Sequence, residues 1–420
     1  MLGHYDPTQM SAAALAEGMH IWGLLFCLGF SMGITPLVAN ADGAGDKSGS
    51  SKMLANGVTL YSSFGILIAL ISVFGSGILH QIGQDPEIAP MAVGYYEYLS
   101  LSLIPLMIFQ PFKQFAEGLS DTKTAMYISF GGNIINIIFN YLLIFGVAGF
   151  PEMGLMGAAT ATLGSRCLMA FAMTLYVLKH SKFKSHLINF SLFHSNLKDQ
   201  IELFKFSIPI AIQFTFEGGA FSLALVMVGW LGKEFIAAHN IALKLASMSF
   251  ILISGVSQAA SVKVGNALGA LNFVKLKSAS NIALTLSLLF MGFCALAFIL
   301  GRNAFPLLFV SASEETIVAS ASALILIAAM FQLSDATQSV LIGCLRGMKD
   351  VTLPTIISIG SYWIICLPLG YLLAFELEIG VTGIWYGILI GMTFSALLQY
   401  LRFRWKLKTL RLELPIEQFK

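Results

Sequence analysis

Charge is what this chain has least of. Only 11% of its 420 residues are Asp, Glu, Lys or Arg and 57% are hydrophobic, whereas soluble proteins carry about 25% charged residues. A water-soluble fold with a charged surface is excluded. Motifs of several enzyme and pump classes are missing as well. No Gly-Lys-Ser/Thr occurs, and GAGDKSGSSK (43–52), which imitates a phosphate loop, follows an apolar run of helical length and not a strand. There is no HExxH and no aspartate-rich pair of the prenyl-transfer kind. Nucleotide-driven pumping, membrane metalloproteolysis and prenyl transfer therefore have no residues to support them, and neither an enzymatic activity nor a resident cofactor is expected. The five cysteines (Cys27, Cys167, Cys294, Cys344, Cys366) show no CxxC spacing and sit in apolar runs, which predicts buried, inert thiols. The opening MLGHYDPTQM lacks the basic region and apolar core of a signal peptide. The near-neutral balance of +2 identifies no partner by itself, and no nucleic-acid partner is expected.

What is present is a series of apolar runs long enough to cross a bilayer, which takes about 20 residues each. Eleven follow one another, near 11–38, 54–80, 91–115, 125–149, 153–178, 203–231, 236–262, 279–300, 317–345, 352–375 and 381–401. Alternation at barrel spacing is absent, so the expected fold class is an all-α integral membrane bundle with the lipid bilayer as its solvent. Lysines and arginines collect after the first, third, fifth, seventh and ninth runs and in the tail from Arg402 to Lys420. The intervening loops hold Lys233 and Arg302 among carboxylates such as Asp85, Glu87, Glu314 and Glu315. The positive-inside rule makes the lysine-rich set and the C-terminus cytoplasmic.

The chain also repeats itself. Glu117-Gly118 with Asp121 matches Arg346-Gly347 with Asp350, and Ile128-Ser129-Phe130-Gly131 matches Ile357-Ser358-Ile359-Gly360, both at an offset of 346 − 117 = 229. Gly43 matches Gly269, and Gly154 with Gly157 matches Gly380 with Gly383, at 269 − 43 = 226. Their collinear order predicts duplicated lobes, 1–198 with five helices and 199–420 with six, joined by the basic loop near 179–202. The partner of the run at 203–231 would lie before residue 1, so the repeat predicts a complete protein with twelve helices, the first of them not in this chain.

Among the ionisable residues inside the runs are Glu17, Arg166, Glu217, Lys244 and Asp335. Each costs about 2.5–3.5 kcal/mol at the centre of a span and needs a reason. Glu217 sits ~18 Å above the boundary at Lys205 and Asp335 ~15 Å above Leu345 on a helix of opposite direction, at 1.5 Å per residue. The two carboxylates share a depth near the midplane, where a pair should hold a proton or a cation such as Na⁺. Gly218-Gly219 would permit close approach or local unwinding beside Glu217, and Lys244 either pairs with the acids or tunes them. Glu17 is near enough to the outer end to reach water; for Arg166, a helix-packing or carbonyl partner is the plainer reading. Asn133, Asn136 and Asn140 fall on one helical face, with Thr160 and Thr162 in the next span, and either hydrogen-bond between helices or line a polar cavity. Phe331 and Gln332, beside Asp335, face a substrate cavity or belong to the core.

Several stretches resemble the multidrug and toxic compound extrusion (MATE) transporters of the NorM-like branch: TPLVANADGAGD (35–46), FAEGLSDTKTAM (115–126), NIINIIFNYLLIFG (133–146), GLMGAATAT (154–162), IPIAIQFTFEGGAF (208–221), AAHNIALKLAS (237–247), FQLSDATQSVLIGCLRGMKD (331–350) and SYWIICLPLGYLL (361–373). The resemblance implies a MATE-like two-lobe helical bundle around a cavity open alternately to either side. It implies secondary active efflux of cationic or aromatic small molecules in exchange for Na⁺ or H⁺, by a protein expected to be a monomer in a bacterial inner membrane. It implies that Glu217 and Asp335 form the cation site and that Asn136 and Asn140 fall on the first lobe's polar site. Some members have Tyr where this chain has Phe331. Related alternatives are a lipid-linked oligosaccharide flippase of the same superfamily, which would need a strongly cationic cavity, and a channel.

Overall fold

The computed structural model describes residues 1–81, 85–187, 190–191 and 195–413. Residues 188–189 and 192–194 of the long basic loop and 414–420 of the basic tail lie outside them. In chain order the helices are α1 (Leu2–Tyr5), α2 (Pro7–Ser31), α3 (Ile34–Gly43), α4 (Lys47–Phe74), α5 (Ile88–Leu101), α6 (Leu103–Gly118), α7 (Thr122–Phe145) and α8 (Gly154–Lys179). They continue as α9 (Ser181–Lys184), α10 (Leu197–Leu231), α11 (Lys233–Gly269), α12 (Phe273–Gly301), α13 (Glu315–Gly347), α14 (Thr352–Ile359), α15 (Leu367–Tyr371) and α16 (Val381–Glu413). No strand occurs among the described residues.

Among the described residues, eleven helical stretches are long and apolar enough to span a membrane, in the order and number the sequence predicts. Most run several residues past the predicted ends, because polar residues continue the helix beyond the apolar core. The first stretch, for example, covers Pro7–Gly43. Exposed apolar residues form lipid-facing stripes: Ile282, Leu286, Leu289, Phe293 and Leu296 follow one another at helical spacing along α12. Cysteine placement differs from expectation. Cys27, Cys344 and Cys366 are buried, but Cys167 is exposed and Cys294 partly so, because their helix faces are turned out of the bundle.

Four helix ends close with the same turn. After α3, α6, α11 and α13, each ending in Gly, come one more residue and then a left-handed one: Gly45 (φ 71°), Ser120 (φ 60°), Leu271 (φ 53°) and Lys349 (φ 59°). The next residue is Asp46, Asp121, Asn272 or Asp350, whose N–H donates five residues back, to Ala41, Ala116, Ala267 or Leu345 O at 2.8–2.9 Å. This is the six-to-one bond of a Schellman ending. Asp46 and Asn272 then cap the following helix through the N–H of Gly49 (2.7 Å) and Lys275 (2.8 Å). The positions matched at offsets of 226 and 229 in sequence thus adopt one backbone geometry.

The chain divides into two compact units, Met1–Asp42 with Asp46–Thr215, and Gly43–Gly45 with Phe216–Lys420. The division falls inside α10, past the loop at 198. Its first half packs with the first unit: Leu203 and Ala211 share a core with Phe30 and Phe115, and Ser207 Oγ is 2.7 Å from Tyr61 Oη.

Each unit holds two apolar clusters that follow one another along the helix axes, with a polar layer at the seam. In the first unit one cluster takes Ala16, Leu99 and Ala159 and the other takes Cys27, Leu103 and Ala170. Between them on the same helices lie His20, Ser100, Ser102, Thr162, Ser165 and Arg166. In the second, one cluster ends at Ala246 on α11 and Phe331 on α13, and the next begins at Ile253 and Ala336. Ser249, Gln332 and Asp335 lie between. The spanning helices also break or widen at the seams. Pro105 has no N–H to offer Leu101 O, and the helix turns between Leu101 and Leu103. Gly360–Cys366 winds as a π-helix ahead of Pro368.

Candidate functional site

In the second unit α13 carries Asp335, Gln338 and Ser339 at i, i+3 and i+4, one face of the helix. Ser339 Oγ donates to Asp335 Oδ1 at 3.2 Å. Glu217, from α10, accepts at Oε1 from Tyr362 Oη (3.1 Å) and more weakly from Gln338 Nε2 (3.4 Å). Gln338 Nε2 also donates to Tyr362 Oη at 2.9 Å. Asp335 is 4% exposed, and the charge of Glu217 reaches it. The two carboxylates found by depth in the sequence are therefore brought to one seam. Gln338 Oε1 is buried there with no hydrogen-bond partner among the described residues. Two carboxylates, two hydroxyls and an uncommitted amide oxygen offer oxygen ligands suited to a proton or a hard monovalent cation, and the buried Arg346 also lies within electrostatic reach of Glu217.

Tyr362, Gln338 and Ser339 carry much of this geometry and were not singled out from the sequence. Gln338 and Ser339 had a signal, since each is one turn from Asp335. Tyr362 had only an indirect one, the proline downstream that marks a disturbed helix.

The other sequence candidates are placed as follows. Phe331 is buried in the core and stacks on Trp385 (centroids 6.1 Å apart, planes 24°). Gln332 is fully buried and bonds Ser249, its Nε2 donating to the hydroxyl at 3.0 Å. Lys244 is exposed, its Nζ 5.8 Å over the Phe309 ring. It forms no ion pair with Glu217 or Asp335, because its face of α11 points away from the seam. The helix α10 runs through Gly218 and Gly219 without unwinding.

In the first unit Asn140 Nδ2 donates to Asn136 Oδ1 (3.1 Å), and Asn136 Nδ2 donates to Ser165 Oγ (3.2 Å), which ties α7 to α8. Asn133 is exposed. Thr162 donates to Ala158 O at 3.0 Å, as Thr160 does to Met156 O at 2.8 Å. Glu17 is exposed and accepts from Tyr95 Oη at 3.3 Å. Arg166 Nη1 donates to Ser102 Oγ at 2.6 Å, a helix-packing contact as the plainer reading supposed.

A family model described as MatE matches residues 1–142 and 209–372. A probable multidrug resistance protein NorM of Rhizobium meliloti (strain 1021) is 32% identical over 406 residues, covering 96% of this chain and 87% of that protein. Multidrug resistance protein MdtK of Yersinia pseudotuberculosis serotype O:1b (strain IP 31758) is 32% identical over 410 residues, 96% of this chain and 89% of that one. Among solved structures, the eukaryotic MATE transporter AtDTX14 superposes with a TM-score of 0.86 at 24% identity, over 98% of this chain and 92% of its own. An outward-facing multidrug resistance MATE family transporter of the MOP superfamily does so at 0.88 and 18%, over 98% and 90%. The spans, their order and these matches agree: the chain belongs to the MatE family of MATE transporters, on its NorM-like branch.

Proposed function

We propose that this transporter exports cationic and aromatic small molecules in exchange for Na⁺ or H⁺, with the coupling cation held at Glu217 and Asp335. The relatives named multidrug resistance proteins support drugs as the cargo. The observation that carries the coupling is the second unit's seam, where two carboxylates interact within apolar surroundings and Gln338 Oε1 has no partner. A pair of acids in low dielectric is costly without a neutralising proton or cation. Binding that cation can drive export only if its affinity differs between the two openings of the transport pathway. The basic residues grouped after alternate spans support a cytoplasmic C-terminus, and the bacterial relatives support an inner-membrane location. We take the working unit to be a monomer.

The test is efflux of ethidium from proteoliposomes under an imposed Na⁺ or pH gradient. Glu217→Gln and Asp335→Asn should each abolish gradient-driven efflux while the protein remains in the membrane. Wild-type rates in both variants would overturn the site assignment.

A further inference from the structure

The end of the second unit remote from its lysine-rich turns carries a cleft that neither carboxylate of the seam borders. Its volume is about 500 Å³, and it lies between the end of α12 and the first turns of α13. The exposed Arg302 and Asn303, just past α12, and the exposed Glu315, in the first turn of α13, form its mouth. Below them one side of α13 makes the wall, with Val318, Ala319, Ala323 and Leu326. The methyl side chains at 319 and 323 leave the hollow. Ser322 adds a hydroxyl, but it is already committed to Val318 O at 2.7 Å. The cleft is therefore charged at one end and apolar along its length.

The two charges at the mouth do not use each other. Among the described residues neither Arg302 nor Glu315 forms an ion pair. From Glu315 to Leu326 the wall runs 326 − 315 = 11 residues, ~17 Å at 1.5 Å per residue. A hydrocarbon core of about 30 Å gives each leaflet about half of that depth, so the cleft runs the thickness of one leaflet from its edge inward. The residues around the mouth belong to a lipid boundary. Leu300, Leu307 and Leu308 are all exposed there, which is unfavourable in water and favourable among acyl chains. A water-soluble ligand would meet no free polar group below the mouth, whereas an amphiphile has a chain to place there.

We infer that this cleft holds one phospholipid of the adjoining leaflet, with a zwitterionic headgroup that carries a primary ammonium, as in phosphatidylethanolamine. Arg302 takes the phosphate through its forked donors, with the Asn303 amide beside it, and Glu315 takes the ammonium. One acyl chain lies along Val318, Ala323 and Leu326. Glu314 and Glu315 repel a lipid of net negative charge, and a choline headgroup has no N–H to give Glu315. The site requires only that the chain lie in a bilayer, so it stands or falls apart from the coupling reading.

Native mass spectrometry of the full chain in detergent reads the affinity for the first bound lipid. The titrants are palmitoyl-oleoyl phosphatidylethanolamine, phosphatidylcholine and phosphatidylglycerol. Wild-type protein should prefer the ethanolamine lipid to each of the others by about 10-fold, as expected for one charge-assisted pair. Arg302→Gln and Glu315→Gln should each weaken its binding about 10-fold, and Glu315→Gln should also erase the preference over phosphatidylcholine. Ala319→Phe, which fills the hollow and leaves both charges in place, should weaken the ethanolamine and choline lipids alike. All three positions are exposed, and thermal unfolding of each variant in detergent checks that the fold is kept. Equal affinity for the three lipids, preference for another of them, or unchanged binding in both charge variants would overturn the headgroup assignment. Unchanged binding in Ala319→Phe would overturn the placement of the chain. Displacement of the lipid by ethidium, with ethidium binding lost in Ala319→Phe, would make the cleft a cargo site and overturn the inference.

Discussion

The two units solve one architectural problem with opposite charges. Each stacks two apolar clusters along its helices and leaves a polar layer between them. In the first that layer holds a cation, Arg166, among hydroxyls and amides. In the second it holds two carboxylates, with Tyr362, Gln338 and Ser339 as their partners. The same turn closes four helix ends at the positions matched in sequence, while the chemistry of the two seams differs. An apolar cluster constrains volume and shape, so it tolerates little variation, whereas a seam needs only that its polar groups be satisfied.

That contrast can be broken outright by neutralising one seam at a time. Asp335→Asn should abolish gradient-driven ethidium efflux, whereas Arg166→Gln should leave efflux of this monocation within about twofold of wild type, since no charge-assisted contact to it is lost. Equal loss in both variants would mean that the seams act as one coupling device. A smaller effect is expected from Tyr362→Phe, which removes the better-formed bond to Glu217 and keeps the ring. The apparent affinity for the coupling cation should drop about tenfold at an unchanged maximal rate. A fall in the maximal rate alone would show that Tyr362 serves the conformational step and not the cation. Smaller again is Gln332→Leu, which deletes the bridge to Ser249 but adds apolar volume. Thermal unfolding in detergent should shift down by about 3 °C with cation dependence intact. The least change is expected at the turns. Ser120→Gly and Lys349→Gly relieve a left-handed residue, and the added freedom of the unfolded chain offsets most of the gain, which leaves a rise of about 1 °C.

The fold was legible in the sequence because a bilayer leaves few options: about 20 apolar residues per span, read directly from composition. Glu217 and Asp335 were legible for the same reason, as charges that cannot be at membrane depth without cause. Phe331 and Gln332 were harder. Spacing puts both within about 60° of Asp335 around α13, at 100° per residue, yet which neighbour covers that arc is a tertiary fact. Here Trp385 and Ser249 cover it, and both residues sit in packed surroundings. Lys244 failed as a partner for a related reason, since depth along a helix says nothing of the direction a side chain leaves it. Tyr362 was hidden most completely, because one hydroxyl on a ring scarcely alters the apolar character of a run.

The π-helical winding from Gly360 to Cys366 bears on chain length. A π-turn accommodates one residue more than the α-turn it replaces. Elsewhere in a span, losing a residue rotates everything beyond it by 100° and dislocates the packed face. Here the loss can be absorbed by tightening the winding, so the span keeps its ends while the arc that presents Tyr362 to Glu217 is reset. Relatives one residue shorter between Gly360 and Cys366 should therefore retain the span and its packing on α16, and lack the tyrosine–glutamate bond. A length polymorphism in this segment would act as a functional substitution without any change of residue type.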